Sequence, residues 1–187
     1  MHKSGFINII GNPNVGKSTL MNCFMGEKFS IITSKAQTTR HRILGIVNGE
    51  DYQLVFSDTP GILKPSYELQ DSMMDFVKNA LEDADIIIYM LEIGETSIKN
   101  NQVHKKIFNA KVPTFILLNK IDLSDQKSLE DQVILWKELY PKAHIYPISA
   151  LNNFNIDIVL KHLICLLYTS DAADDTPCVD LGGRRII

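Results

Sequence analysis

Gly11-Asn12-Pro13-Asn14-Val15-Gly16-Lys17-Ser18 decides how this chain is read. The stretch fits G-x-x-x-x-G-K-[ST]. It lies between an apolar run at 6–10 (FINII) and a helical pattern at 17–24 closed by Gly26. A strand before and a helix after are the context this pattern requires. Its glycines let successive backbone N–H groups of 12–16 (Asn12, Pro13, Asn14, Val15, Gly16) wrap a phosphate, proline contributing only its turn. The following helix aims its positive end at the same anion. Lys17 then carries a point charge to the β- and γ-phosphates, and Ser18 offers a hydroxyl to Mg²⁺. Thr19 is placed to reach the α-phosphate.

Outward from this loop the chain alternates. Ile43–Val47 and Tyr52–Phe56 flank Asn48-Gly49-Glu50-Asp51, a hairpin signal that makes these two strands antiparallel. Leu69, Met73, Phe76, Val77, Ala80 and Leu81 mark a helix with one apolar face. Strands at 85–91, 114–118 and 144–148 then alternate with helices at 99–110, 127–140 and 155–164. The pattern predicts an α/β fold: a six-stranded, mostly parallel sheet with one antiparallel strand and helices on both faces. Together with the loop it predicts a P-loop NTPase G domain over residues 1–164. Pro113 and Pro147 fall at strand boundaries, where proline is tolerated.

Asn119-Lys120-Ile121-Asp122 follows the strand at 114–118, at the carboxyl end where open α/β sheets bind ligands. A carboxylate at Asp122 accepts from the N1–H and exocyclic amine of guanine. Adenine has an acceptor at N1 and no amine, so it leaves that carboxylate unpaired. A P-loop kinase or ATPase is therefore disfavoured. Asn119 is expected to tie this loop to the phosphate loop, and the Lys120 stem to cover the base. Ser149-Ala150-Leu151 follows the last strand, where the Ala150 N–H can meet the guanine carbonyl.

Asp58-Thr59-Pro60-Gly61 ends the second hairpin strand. Asp58 is expected to hold Mg²⁺ directly or through water, and the Gly61 N–H to contact the γ-phosphate. Gln37-Thr38-Thr39-Arg40 lies in a polar loop at 30–42. Thr39, with Thr38 second, is the choice to complete the Mg²⁺ ligands alongside Ser18 and Asp58. Both loops would order around GTP and relax after hydrolysis.

The order GNPNVGKS, QTTRHR, DTPGILKP, NKID and SA resembles the Era GTPases of bacteria, within the wider TrmE-Era-EngA-like group, almost continuously over residues 5–164. His41 after TTR suits Era, since the related tRNA-modification and ribosome-assembly GTPases usually carry Asp there. The resemblance implies a cytoplasmic GTPase acting in ribosome assembly. It also implies a KH domain that binds the 3′ end of small-subunit ribosomal RNA, and a peripheral membrane association. Era-like proteins carry a hydrophobic residue in place of the water-orienting glutamine, here Ile62. In related GTPases with asparagine at the Asn14 position, K⁺ stands in for an arginine finger. Asn14, Lys17, Thr39 and Gly61 are thus the candidate catalytic set, with Mg²⁺, GTP/GDP and K⁺ as cofactors. With no glutamine, a guanine-nucleotide binding module with negligible turnover is the alternative.

A KH domain needs a GxxG loop, and none follows residue 164. Residues 165–187 read instead as a translated sequencing adapter: CLLYTSDAAD matches a transposase end sequence and VDLGGRRII its flow-cell partner. This tail is expected to be non-native and disordered, the KH domain to be absent, and RNA not to be bound by this chain.

Net charge is -3, and the tail holds four acids and two arginines, so 1–164 is close to neutral and gives no nucleic-acid signal. No apolar run is long enough to span a bilayer, and the N-terminus has no signal or transit pattern. Cys23, Cys165 and Cys178 make no disulfide framework or metal spacing. Cys23, Trp136 and the methionines at 21, 25, 73 and 74 read as packing, His41 as a surface residue, and Lys105, Lys106 and Lys111 as a solvated face.

Overall fold

The computed structural model describes residues 3–26, 39, 41–62, 68–98 and 100–169. Strands β1 (Lys3–Gly11), β2 (Ile43–Asn48), β3 (Tyr52–Asp58), β4 (Ile86–Glu92), β5 (Thr114–Asn119) and β6 (His144–Pro147) form one sheet. Its order is β2-β3-β1-β4-β5-β6. β2 and β3 are antiparallel, with Asn48 opposite Gln53 as the hairpin reading requires. Every other pairing is parallel.

The helices are α1 (Lys17–Met25), α2 (Glu68–Glu82), α3 (Asn101–Phe108), α4 (Gln126–Leu139) and α5 (Ile156–Thr169). Capping sets two starts. Asn100 accepts from the N–H groups of Gln102 and Val103, and Asp125 from that of Ser128. α3 therefore begins after Asn100 and α4 after Asp125.

The central strands are apolar on both faces, because helices cover both. Alternation assigns each residue a side. Ile7, Ile9, Ile86, Ile88, Met90, Phe115 and Leu117 pack with Leu20, Phe24, Val159 and Leu163 of α1 and α5. Ile10, Ile87, Tyr89, Leu91, Ile116 and Leu118 pack with Met74, Val77, Val103, Ile107 and Trp136 of α2, α3 and α4. Met21, Met73 and Met74 are buried as expected. Leu69 is a correction: it is 42% exposed, and the buried stripe of α2 runs instead through Gln70, Met73, Met74, Val77 and Ala80.

A second correction concerns the tail. Its first five residues continue α5, because Cys165, Leu166 and Leu167 prolong the apolar repeat of Val159 and Leu163. Leu167 is buried over Gly5, where an added Cβ would stand 2.3 Å from Leu167 Cδ2. The expectation of disorder from 165 fails over 165–169. The rest of the tail, 170–187, lies outside the described residues, as do Thr38 and most of the polar loop at 30–42.

Register aligns the carboxyl ends of the parallel strands. Ile9 faces Asp58, Gly11 faces Met90, and Glu92 faces Asn119. The loops after β1, β3, β4, β5 and β6 thus leave one rim. β2 enters at that same rim, with Ile43 opposite Asp58. The chain arriving at β2 is fastened by Arg42. Its guanidinium donates to Ser57 Oγ, to Asn8 Oδ1 and to the Asp83 carboxylate, and lies over the Phe6 ring.

Candidate nucleotide-binding site

β1 runs straight into the phosphate loop, beside the point where the sheet order reverses. The loop needs special backbone at two positions, since Asn14 has φ 63° and Gly16 φ 103°. Close approach fixes two more. A Cβ on Gly11 would stand 2.3 Å from the Met90 carbonyl oxygen, and one on Gly61 would stand 2.8 Å from Pro13 backbone. The Ile62 N–H donates to the Gly11 carbonyl at 3.0 Å, so the segment after β3 lies against the phosphate loop.

Lys17 is buried, and its ammonium donates to the carbonyls of Gly11 (3.1 Å) and Asn12 (2.8 Å). Burial lowers its pKa to about 8, against the opposing fields of Asp58 and Glu95. Ser18 Oγ donates to Asp58 Oδ2 at 2.6 Å and lies 3.3 Å from Thr39 Oγ1. The three residues chosen as metal ligands come from three separate segments, and they meet beside the lysine. Asp58 is fully buried. Three close hard oxygens fit Mg²⁺.

On the other side of Gly16 stands Asn119. Its Nδ2 donates to the Val15 carbonyl at 2.7 Å, and its Oδ1 accepts from the Ala150 N–H at 2.9 Å. One carboxamide therefore ties the phosphate loop to both base-side loops, as the sequence suggested for the first of them. Ser149 Oγ donates to Asp122 Oδ1 at 2.6 Å, leaving the exposed carboxylate oriented by a buried hydroxyl. Two further contacts lie on this side. The Ala150 N–H, expected to face the base, is bonded to Asn119. Lys120 has φ 64°, and its ammonium pairs with Glu92 at 2.9 Å, which draws its stem toward β4. Leu151 is 77% exposed at the rim. Thr19 is half-buried on the first turn of α1.

Sequence reasoning missed two participants. Cys23 is half-buried, and its thiol donates to the Ala150 carbonyl at 3.2 Å, so α1 also supports the base-side loop. Glu95, in the loop after β4, accepts from Asn12 Nδ2 at 3.0 Å. Neither belongs to a motif; both are visible only once the sheet order brings the loops after β1, β4 and β6 to one rim. Trp136 is buried as expected, with its indole N–H donating to the Glu95 carbonyl. His41 is exposed and edge-on to Phe76. Lys106 pairs with Glu82 in the last turn of α3.

A strand, a phosphate loop and a base-reading loop on one rim of a six-stranded sheet define the class: a P-loop G domain. The chain belongs to the family described as 50S ribosome-binding GTPases, whose model matches residues 6–120. Among its relatives is the GTPase Era of Staphylococcus haemolyticus. The two are 43% identical over 169 residues, covering 90% of this chain and 55% of the relative. The fold is similar to that of Era solved with MgGDPNP and nucleotides 1506–1542 of 16S ribosomal RNA. That match has a TM-score of 0.81 and 36% identity, over 88% of this chain and 57% of the other. It is equally similar to a variant of Aquifex aeolicus Era bound to GDP and AlF4⁻, with a TM-score of 0.81 and 37% identity, over 87% and 56% of the two chains. The Era resemblance read from the motifs is thereby borne out. The chain spans about half the length of the curated relatives it matches.

Proposed function

We propose that the chain binds GTP and GDP with Mg²⁺ and hydrolyses GTP slowly, as the G domain of a longer protein acting in small ribosomal subunit assembly. The observation that carries the nucleotide reading is the meeting of Ser18, Thr39 and Asp58 beside Lys17. Mg²⁺ on those oxygens would neutralise charge on the phosphates. Lys17, already aimed along the loop, supplies a second positive charge there. Loop N–H groups and that of Gly61 would orient the phosphate chain. Asp122, steadied by Ser149, accepts from guanine and has no partner on adenine.

Ile62 is buried in the apolar cluster under α2 and has no group to orient water. Turnover is therefore expected near intrinsic small-GTPase rates, about 10⁻⁴ to 10⁻² per second. The same residue favours a second reading, a binding module with negligible turnover. Competition of ATP and GTP for bound GDP, followed by single-turnover hydrolysis, separates these. Failure of GTP to displace GDP would end the first reading, and binding without phosphate release would select the second. K⁺ beside Asn14 is part of the proposal. Turnover is expected to rise in K⁺ relative to Na⁺, and equal rates would remove Asn14 from the catalytic set.

The ribosomal role rests on the relatives: Era is solved with a 16S ribosomal RNA segment. An RNA-binding KH domain would lie in the part of the relatives' length that this chain does not span. A cytoplasmic setting follows from the same relationship. Peripheral membrane association rests on resemblance alone; among the described residues no helix is long and apolar enough to cross a membrane. The reading of the tail as adapter-derived is tested by sequencing the source locus past codon 164 without transposase adapters.

A further inference from the structure

The loop after β4 belongs to none of the nucleotide-binding motifs, yet its backbone and side chains are held from three directions. The Ile93 N–H donates to the Asn119 carbonyl at 2.9 Å. The Gly94 N–H donates to Gln132 Oε1 of α4 at 3.1 Å, and Gly94 takes φ 96° to do so. The Glu95 carbonyl accepts the Trp136 indole N–H at 3.1 Å. Such bracing leaves the Glu95 side chain little choice of direction. It points at the phosphate loop, where Oε1 accepts from Asn12 Nδ2 at 3.0 Å.

Asn12 matters because its own carbonyl is one of the two that receive the Lys17 ammonium. The other is Gly11, whose carbonyl also takes the Ile62 N–H. Turning the Asn12 peptide would release one lysine contact and disturb the loop beside Gly61. The second carboxylate oxygen of Glu95 is buried and has no hydrogen-bond partner among the described residues, as is the hydroxyl of Tyr89 on β4. A buried carboxylate oxygen left unpaired costs more than a neutral polar atom in the same place. A rigid loop that holds such a group against one amide fits a positioning device better than a solvated surface acid.

We infer that Glu95 is a positioning residue for the phosphate loop: it orients Asn12 through a hydrogen bond and links that loop to Trp136 on α4. The role acts through Asn12 and not on the nucleotide itself, and it rests on the reading of this rim as the GTP site. Removing the acceptor frees the Asn12 amide and lets the loop sample conformations that bind phosphate poorly. A hydrogen bond to a charged group is worth about 1.5–3 kcal/mol, which is about a 10- to 150-fold change in affinity; relaxation of the loop puts the expected loss toward the lower end, about tenfold.

The test is equilibrium binding of GDP and GTP to the full chain as wild type, Glu95→Ala, Glu95→Gln, Asn12→Ala and the Asn12→Ala/Glu95→Ala double variant, with a thermal melt of each. Glu95→Ala is expected to weaken both nucleotides about tenfold. Glu95→Gln, whose amide oxygen can still accept from Asn12, is expected to stay within about twofold of wild type. The double variant is expected to be no worse than the weaker single one, as two residues acting through one contact require. Trp136 is the single tryptophan, so its fluorescence follows the same link: nucleotide should change it in wild type and change it less in Glu95→Ala. Affinity in Glu95→Ala equal to wild type overturns the inference. So does a Glu95→Gln as weak as Glu95→Ala, which would make the charge and not the bond responsible, and so do additive losses in the double variant. If the wild type itself binds no guanine nucleotide, the functional reading fails instead, and the melts show whether the variants are folded.

Discussion

The two ends of the proposed nucleotide site are built by different means. At the phosphate end the shape is carried by backbone. Gly11, Gly16 and Gly61 each sit where a Cβ would strike neighbouring atoms, and Lys17 is held by main-chain carbonyls. At the base end the shape is carried by side chains. Asn119 bridges two loops, and Ser149 steadies Asp122. A phosphate is a compact anion that any suitably curved run of N–H groups can hold. A base is recognised by the pattern of its edge, which requires particular donors and acceptors at particular places. Damage should therefore act sterically and without regard to base at one end, and by base identity at the other.

The largest effect should come where the two ends touch. A Cβ on Gly16 would lie 2.4 Å from Asn119 Nδ2, at a φ of 103° that side chains rarely adopt. Gly16→Val should cost at least about 30-fold in GDP affinity, since left-handed strain and a broken buried hydrogen bond each cost about 1–3 kcal/mol. Titration of GDP and inosine diphosphate should show equal losses; a loss confined to one base would merge the two ends into a single device.

Asp122→Asn should be smaller in total and selective. The amide can still offer one acceptor, but its NH₂ confronts the guanine amine. Guanine nucleotide affinity is expected to drop by about 100-fold while a xanthine nucleotide, with a carbonyl in place of that amine, gains. Competition between the two nucleotides reads this directly. Equal weakening of both would mean that Asp122 shapes the loop and does not read the base.

The smallest effect should lie away from both ends. His162 of α5 bonds Tyr146 and lies 4.5 Å from the His144 ring, centroid to centroid. Burial, with His144 beside it, lowers its pKa to about 4. A histidine depressed in the folded state favours folding above its unfolded value, near 6.5, and that contribution is lost as pH falls toward 4. The loss should be about 1–2 kcal/mol, discounted because water reaches part of the ring. Urea melts at pH 7.5 and 4.5 measure it, and His162→Asn should flatten the difference. An unchanged slope would assign acid sensitivity elsewhere, and a parallel loss of nucleotide affinity in His162→Asn would show that this corner is not independent of the site.

Legibility in the sequence followed the same division. Backbone-carried features leave spaced glycines, and the phosphate loop is complete in the sequence alone. Strand order is not, because periodicity reports which residues are buried and never which strands are neighbours. The base end is readable for Asn119 and Asp122, which lie in one short run, but the bond from the Ala150 N–H to Asn119 is not. That donor is 31 residues from Asn119, and an unfolded view offers no reason to pair them. Leu69 was placed on the wrong side of α2 because a stripe read from apolar residues ignores Gln70, which the packing buries.

By itself the sequence determined what local chemistry determines: the alternation of strands and helices, the hairpin at Asn48-Gly49, the phosphate loop, the base-reading run and the apolar Ile62. Only the tertiary structure decided which distant groups meet. It brought Ser18, Asp58 and Thr39 together, placed the Cys23 thiol under Ala150, carried α5 on to Leu167, and put Glu95 against Asn12. The reason is physical. Secondary structure answers to spacing along the chain, whereas a ligand cage or a positioning bond answers to distance in space, which is set when the register of the parallel strands brings their carboxyl ends to one rim.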